Sequence, residues 1–136
     1  MLGDKLGEGK GKVTGMRILP SPDGRMVKME ITFQSQGKLL GMDSNNMGSY
    51  VVYERLPGQL YGEGQGIVMT SDGESAIWHG FGVGQMTGKG MGVRWSACVN
   101  YQARAGKLAR LNNVLGMVEH EADDQQNTTE KVWEWK

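Results

Sequence analysis

Glycine recurs at every second position in four segments of the chain, and this spacing constrains the fold more than any other feature. The segments are Gly7–Gly11, Gly62–Gly66, Gly80–Gly84 and Gly88–Gly92. Because alternate residues of a β-strand point to the same side of a sheet, each segment predicts a strip of sheet without side chains. Glycine within a strand often marks a bend or the close approach of another group. We therefore expect a tightly curved sheet on which bulky side chains lie over the glycines.

Alternating apolar and polar residues predict strands over most of the remaining chain. On one predicted strand, the residues expected to face mostly inward are Arg25, Val27, Met29, Ile31 and Phe33. On another, the residues expected to share one side are Val93, Trp95, Ala97, Val99 and Tyr101. A period of two is typical of strands that are buried on one side.

Turn sequences separate these strands. Ser21–Gly24 and Ser71–Glu74 each contain Asp-Gly, and glycine accepts the positive φ that tight hairpin turns require. A further turn is expected at Ser44–Asn46, between short strands at Lys38–Asp43 and Ser49–Leu56. The links between strands are therefore predicted to be short.

Eight or nine strands with short links are typical of an antiparallel barrel or sandwich. A barrel is favoured because closure leaves no exposed strand edges and because the glycine strips permit tight curvature. We predict an all-β fold, a closed antiparallel barrel of about eight strands that forms a single domain over residues 1–136. One short helical turn is expected near residues 107–113, the stretch with helical composition.

Composition argues against several classes of protein. The 136 residues carry 15 basic and 15 acidic side chains, so the basic excess typical of nucleic-acid-binding proteins is missing. The apolar runs are too short for a transmembrane helix or a signal peptide. Cys98 is the single cysteine, which favours a reducing compartment. We expect a soluble, cytoplasmic protein that binds neither nucleic acid nor membranes.

Three segments carry a resemblance to a known family. They are Trp78–Gly84, Leu108–Val114 and Lys131–Lys136. Together they resemble a family of small uncharacterised bacterial proteins whose fold is similar to the allene oxide cyclase and dirigent barrels. The likeness extends from about Gly7 to the last residue. It implies the same barrel, in which the enzyme relatives perform cyclisation or stereocontrol within an apolar lumen, but it carries over no residue role.

Motifs for a cofactor or a metal are missing from the sequence. The dinucleotide fingerprint requires a third glycine that is absent in all four glycine segments. His79 and His120 have no partner at zinc-like spacing. Glu119, Glu121 and Asp123 share one strand face, with His120 on the other, and acids on one face are usually solvated. We therefore expect neither a cofactor nor a metal.

Cys98 is a candidate nucleophile. It shares a predicted strand face with Arg94, a cation that would lower the pKa of the thiol. A lone cysteine in a strand more often serves as a small apolar side chain, and this second interpretation is preferred.

Aromatic and methionine side chains favour a binding role. Trp78, Trp95, Tyr101 and Met86 are expected to form the wall of a lumen that binds a small apolar ligand. The chain contains 10 methionines, and this flexible, polarisable side chain adapts to irregular apolar surfaces. The alternative is a structural barrel whose lumen is filled by these same side chains.

Glu54 is the candidate for an enzymatic alternative. It shares a parity with Tyr50 and Val52, so it would point inward if they do. A carboxyl group buried in an apolar lumen has a raised pKa and can transfer protons near neutral pH, as an isomerase or cyclase requires. In the other arrangement, Tyr53 and Arg55 face inward and Glu54 is solvated.

One predicted strand is apolar on both sides. If the glycines of Gly80–Gly84 face the lumen, Phe81 and Val83 face outward and need cover. A homo-oligomer would provide that cover, so the expected partners are a small apolar ligand and further copies of the chain.

Overall fold

The computed structural model describes residues 1–21 and 27–136 and shows a closed antiparallel barrel. Each strand pairs with its neighbours in sequence, and the first strand pairs with the last. The strands are β1 (Leu2–Leu19), β2 (Lys28–Leu39), β3 (Met42–Leu56), β4 (Gln59–Thr70), β5 (Ser75–Met86), β6 (Val93–Gln102), β7 (Leu115–Ala122) and β8 (Asn127–Trp135). The predicted all-β barrel of eight strands is confirmed.

Several glycines of β3, β4 and β5 lie inside the barrel beneath two indole rings. A Cβ atom added at Gly48 or Gly66 would lie 2.5 Å from ring atoms of Trp78. One added at Gly62 would lie 2.8 Å from the ring of Trp95. Such distances are far inside van der Waals contact, so these positions admit only glycine while the rings keep their places. The expected cover over the glycines is therefore supplied by tryptophan.

The fourth glycine segment is an exception, because it forms the β5–β6 turn rather than a strand. Gly88 and Gly90 have φ angles of 88° and 51°, in the left-handed region that glycine adopts without strain. The amide of Gly92 closes the turn by donating to the carbonyl oxygen of Lys89 over 3.0 Å. Alternate spacing of glycine therefore also occurs where the backbone reverses.

One predicted turn is wrong. Ser44–Asn46 lies within β3, and the chain reverses earlier, at Leu40 and Gly41, whose φ angles are 50° and 80°. Ser44 and Asn46 line the cavity inside the barrel, so polar residues that resembled a turn are instead inward-facing strand residues. The turn at Ser71–Glu74 is confirmed, with the amide of Gly73 donating to the carbonyl oxygen of Thr70.

Other strand predictions differ from the structure at their ends. The segment Gly9–Leu19, which precedes the predicted Ser21–Gly24 turn, is expected to be the first strand, and β1 instead begins at Leu2. The Ser21–Gly24 turn and the inward position of Arg25 fall on residues 22–26, outside the described residues. Of the remaining inward set, Phe33 is buried, whereas Val27 is 63% exposed and precedes β2.

A 3₁₀ helix at Lys107–Asn113, the cap helix, confirms the expected helical turn. Its Leu108 and Leu111 are fully buried. They pack against side chains of several strands, which are Leu6, Leu39, Val68, Ala76, Val99, Tyr101 and Ala103. The cap helix therefore closes one end of the barrel with apolar contacts. Within the described residues, no helix combines the length and the hydropathy needed to cross a membrane.

Side-chain hydrogen bonds fix the cap helix to the strands. The side chain of Asn112 accepts from the amide of Ala103 over 2.7 Å and donates to its carbonyl oxygen over 2.8 Å. The amide of Leu108 donates to Oε1 of Glu74 over 3.0 Å. Buried backbone groups at a short helix need such partners, since few intrahelical bonds are available.

Candidate functional site

A cavity of about 150 Å³ lies inside the barrel. Aromatic side chains form much of its wall, namely Phe33, Tyr50, Trp78, Trp95 and Tyr101. Leu39, Val68, Val99, Val118 and Val132 add an apolar surface, and the polar groups include Asn46, His120 and Glu130. An apolar wall with a few convergent polar groups is typical of sites for small molecules.

Three of the four predicted wall residues line this cavity. Trp78, Trp95 and Tyr101 do so, as inward-facing residues of β5 and β6. Met86 is 53% exposed, because it is the last residue of β5 and pairs with Val93 beside the β5–β6 turn. Met86 is therefore not part of the cavity wall.

Aromatic rings pack around His120. The imidazole centroid lies 5.2 Å from that of Phe33 and 6.1 Å from that of Tyr50. Tyr50 in turn meets the ring of Trp95 nearly edge-on, with centroids 5.7 Å apart and planes at 77°. Such edge-to-face arrangements are favourable for aromatic pairs and hold each ring in one orientation.

Glu130 brings a carboxylate into this aromatic interior. On β8 it pairs with Gly9 of β1, and a Cβ atom on Gly9 would lie 2.7 Å from Oε1 of Glu130. The glycine therefore makes room for the carboxylate. Ser35 donates its hydroxyl to Oε1, and Nδ1 of His120 lies 3.5 Å from Oε2.

These contacts set the charge of Glu130. Burial alone would raise the pKa of this carboxyl group, but the contacts with His120 and Ser35 outweigh burial and hold its pKa below the ordinary value. Glu130 is therefore ionised at neutral pH. An ionised carboxylate facing Nδ1 favours the tautomer that carries its proton on that nitrogen.

Three buried side-chain atoms have no hydrogen-bond partner in the part of the chain that the structure describes: Nε2 of His120, Nε1 of Trp95 and Oγ1 of Thr128. His120 is 9% exposed and Trp95 6% exposed. Trp78 differs from Trp95, since its Nε1 donates to Oδ1 of Asn46 over 2.8 Å. Most buried polar atoms in proteins are bonded, so unbonded ones beside a cavity require an explanation.

The hydroxyl of Tyr50 lies in the same region. Burial raises the pKa of Tyr50 to about 12, partly offset by the nearby indole N–H of Trp95, so the phenol is neutral at physiological pH. Trp95 nevertheless makes no hydrogen bond of acceptable geometry within the described residues.

Glu54 is half-buried on β3, at the pair with Leu60 beside the β3–β4 turn, and the cavity wall does not include it. The alternative with Tyr53 and Arg55 inward does not hold. Tyr53 packs against Tyr61 at 5.5 Å, and Arg55 lies over the same ring at 4.3 Å. Tyr53 and Arg55 lie on the side of β3 opposite to Tyr50, which faces inward. Glu54 shares the side of Tyr50 but lies outside the cavity wall, so its role in proton transfer stays a prediction.

The carboxylate and imidazole that line the cavity were not singled out from the sequence. For His120 the sequence contained one indication. Glu119 and Glu121 share one side of β7, where acids are usually solvated, so His120 between them is expected on the inner side. For Glu130, the alternation of Thr128, Glu130 and Val132 did not identify the inward side, because the opposite parity contains the large apolar side chains of Trp133 and Trp135. Cys98 lies on the outer parity, paired with Phe81 of β5. Arg94 lies four residues away along β6 and forms a surface ion pair with Glu121 at 3.9 Å.

No protein-family model matches the chain, and no curated protein matches its sequence. Solved structures do match. A protein of unknown function from Clostridium acetobutylicum has a TM-score of 0.82 at 9% identity, with 98% of each chain covered. A β-barrel-like protein from Acinetobacter baumannii has a TM-score of 0.82 at 9% identity, covering 100% of this chain and 96% of that one.

A structure described as an enzyme from Penicillium herquei is also similar. Its TM-score is 0.67 at 13% identity, covering 96% of this chain and 92% of that one. At such low identities the likeness shows a shared barrel fold and no shared chemistry.

Proposed function

We propose that the barrel binds a small, mostly apolar molecule in its interior cavity. The observation that carries this proposal is the volume of about 150 Å³ left after the aromatic side chains are packed. In an engineered protein, an apolar cavity of about 150 Å³ binds benzene, so the expected ligand is about the size of one six-membered ring.

The structural alternative, a barrel filled by its own side chains, is less well supported. Natural cores contain few voids larger than a water molecule, and their buried polar atoms are usually bonded. This interior combines a void with the unbonded nitrogens of His120 and Trp95. An occupant explains the void.

An isomerase-like or cyclase-like enzyme is the second candidate. The contact between Glu130 and His120 favours it, because a carboxylate that orients an imidazole towards a substrate is a recurrent arrangement for proton transfer. The enzyme from Penicillium herquei shows that a similar barrel occurs in an enzyme. In this proposal Glu130 and His120 replace Glu54 as the groups that act on the ligand.

We also propose that the barrel is of the allene oxide cyclase type, that the chain is bacterial and that it acts in the cytoplasm. Two of the similar structures come from bacteria. Cys98 is a free thiol, which agrees with a reducing compartment.

Thermal unfolding with toluene tests the binding proposal, because a ligand that binds only the folded state raises the melting temperature. The matched variants are Val118→Phe, which fills the cavity, and Thr129→Phe, which adds a similar volume on the exposed outer face. We expect toluene to stabilise the wild type and Thr129→Phe, but not Val118→Phe. Native mass spectrometry of protein from its own host would reveal a retained molecule. No stabilisation of the wild type by toluene, benzene or phenol would overturn the proposal.

A further inference from the structure

We propose that the ligand of the cavity is a small organic cation, an ammonium group on an apolar body, and that the carboxylate of Glu130 binds the charged group. The inference rests on the proposed function and specifies the chemical class of its ligand.

Glu130 can be reached from the cavity. Its side chain lines the cavity and keeps 13% of its surface exposed. A Cβ atom on Gly9 would lie 2.7 Å from Oε1, so the carboxylate lies against bare backbone of β1 and not beneath another side chain. A molecule in the cavity can therefore contact Glu130.

The protein leaves part of the bonding capacity of this carboxylate unused. Ser35 donates its hydroxyl to Oε1, and the side chain of Asn46 also stabilises the ionised form. Nδ1 of His120 lies 3.5 Å from Oε2, beyond the length of about 2.7–2.9 Å that is typical of a charge-assisted hydrogen bond. An ionised carboxylate accepts about four hydrogen bonds, so a position remains for a ligand donor even if all three side chains donate.

The charge of Glu130 also lacks a basic side chain close to it. Among the described residues that line the cavity, Lys38 is the single lysine or arginine. Its Nζ pairs with Asp43 at 2.8 Å, and its side chain is 61% exposed on the outside of the barrel. A buried charge without a close partner of opposite sign is costly. A cationic ligand would offset that cost, whereas an anionic ligand would add to it.

The aromatic wall suits the same class of ligand. The rings that line the cavity belong to Phe33, Tyr50, Trp78, Trp95 and Tyr101. The face of an aromatic ring carries a partial negative charge that attracts ammonium groups, and it also packs against apolar groups. Within the described residues, no group of three or more acidic, histidine or cysteine side chains could hold a metal ion. The expected cation is therefore organic.

Calorimetric titration of the wild type with three probes of similar size tests the inference. At neutral pH benzylamine is a cation, benzyl alcohol is its neutral counterpart, and benzoate is an anion. We expect benzylamine to bind about tenfold more tightly than benzyl alcohol, because hydrogen bonds to charged groups are about twice as strong as neutral ones. Benzoate should not bind detectably.

An affinity for benzylamine that is equal to or below that for benzyl alcohol would overturn the inference and leave the proposed function standing. Binding of benzoate as tight as that of benzylamine would do the same. If none of the three probes binds but toluene does, only the inference is wrong. If toluene also fails to bind, the proposed function fails with it.

Two matched variants assign the effect to Glu130. Glu130→Gln removes the charge inside the barrel, and Glu119→Gln removes one charge on the exposed outer face of β7. We expect the preference for benzylamine over benzyl alcohol to be lost in Glu130→Gln and to persist in Glu119→Gln. An unchanged preference in Glu130→Gln would overturn the assignment.

An NMR measurement on the wild type serves if Glu130→Gln does not fold. Nuclear Overhauser effects should connect the methylene protons of bound benzylamine, next to its ammonium group, with the side-chain protons of Glu130. Contacts of Glu130 with the ring protons of benzylamine alone would place the charged end elsewhere and overturn the inference.

Discussion

Nδ1 of His120 lies 3.5 Å from Oε2 of Glu130 inside the barrel, where the two side chains are only 10% and 13% exposed. The pair joins β7 to β8, and Ser35 adds a bond from β2 on the opposite side of β1. A buried charge of this kind is tolerated only while its partners remain, so removal of one partner destabilises the fold.

Replacement of Glu130 by Gln should lower the free energy of unfolding at neutral pH by about 1–3 kcal/mol, since the carboxylate loses its charge-assisted bonds. The pKa of Glu130 is depressed in the folded state, below its ordinary value of 4.5. Its contribution to stability is therefore present above that value and is lost as the pH falls through the lower folded pKa. Urea titrations should be made at acid and at neutral pH. The difference in the free energy of unfolding between wild type and Glu130→Gln should be smaller at acid pH.

Glu119→Gln is the control for this measurement, because Glu119 is exposed on the outer face of β7. It should change stability little at any pH. If the free energy of unfolding of wild type and of Glu130→Gln differs by the same amount at every pH, the conclusion that Glu130 is ionised at neutral pH is wrong.

Alanine at Gly62 should destabilise the barrel by about 1–3 kcal/mol, because the three atoms nearest to its new methyl group belong to the six-membered ring of Trp95, the first at 2.8 Å. Trp95→Phe removes those ring atoms. The double variant should therefore be less destabilised than the sum of the single variants, as measured by chemical denaturation in a double-mutant cycle. Gly3→Ala is the control, since that methyl group meets the flexible end of Lys136 at 3.1 Å. Simple additivity would disprove the proposed conflict between methyl group and indole.

Asn112→Ala should loosen the cap helix. It leaves the amide and carbonyl groups of Ala103 without their side-chain partner, at a cost of about 1–3 kcal/mol. Hydrogen exchange at the amide of Ala103 should accelerate more than exchange in the centre of β4. A uniform acceleration throughout the barrel would instead indicate that the cap helix opens only together with the strands.

Phe81 and Val83 are 56% and 43% exposed on the outer face of β5, as parity predicts once the glycines face inward. We predict association of the chain with further copies through this face, because exposed apolar side chains are commonly covered at interfaces. Sedimentation at micromolar concentration should give a mass above that of one chain, and Phe81→Ser should lower it. Leu56→Ser, at another exposed apolar site, should not. Only monomer in the wild type would refute the prediction.

The sequence predicted those features that depend on local periodicity. Alternation placed Trp78, Trp95 and Tyr101 on the inner face, and glycine spacing predicted the curvature that lets their rings lie flat. It failed at Ser44–Asn46, where inward polar residues of a strand have the composition of a turn.

The polar part of the site could not be predicted in the same way. Ser35, His120 and Glu130 come from three strands, and their contacts depend on the registers of β1 with β2 and of β7 with β8. Periodicity along one strand gives the side of the sheet but not the residue opposite. Unbonded atoms, such as Nε2 of His120, are visible only when every neighbour has been placed.

Among the strands that the structure describes, β1 and β8 form the single pair that is distant in sequence. Every other strand pairs with the strand before it in the sequence, whereas β8 can pair with β1 only after the whole barrel has formed around it. Glu130 lies on β8, directly opposite Gly9 of β1. A ligand that contacts Glu130 would therefore stabilise the pairing of β1 with β8, the last to form. Slower amide exchange along these two strands would report its presence.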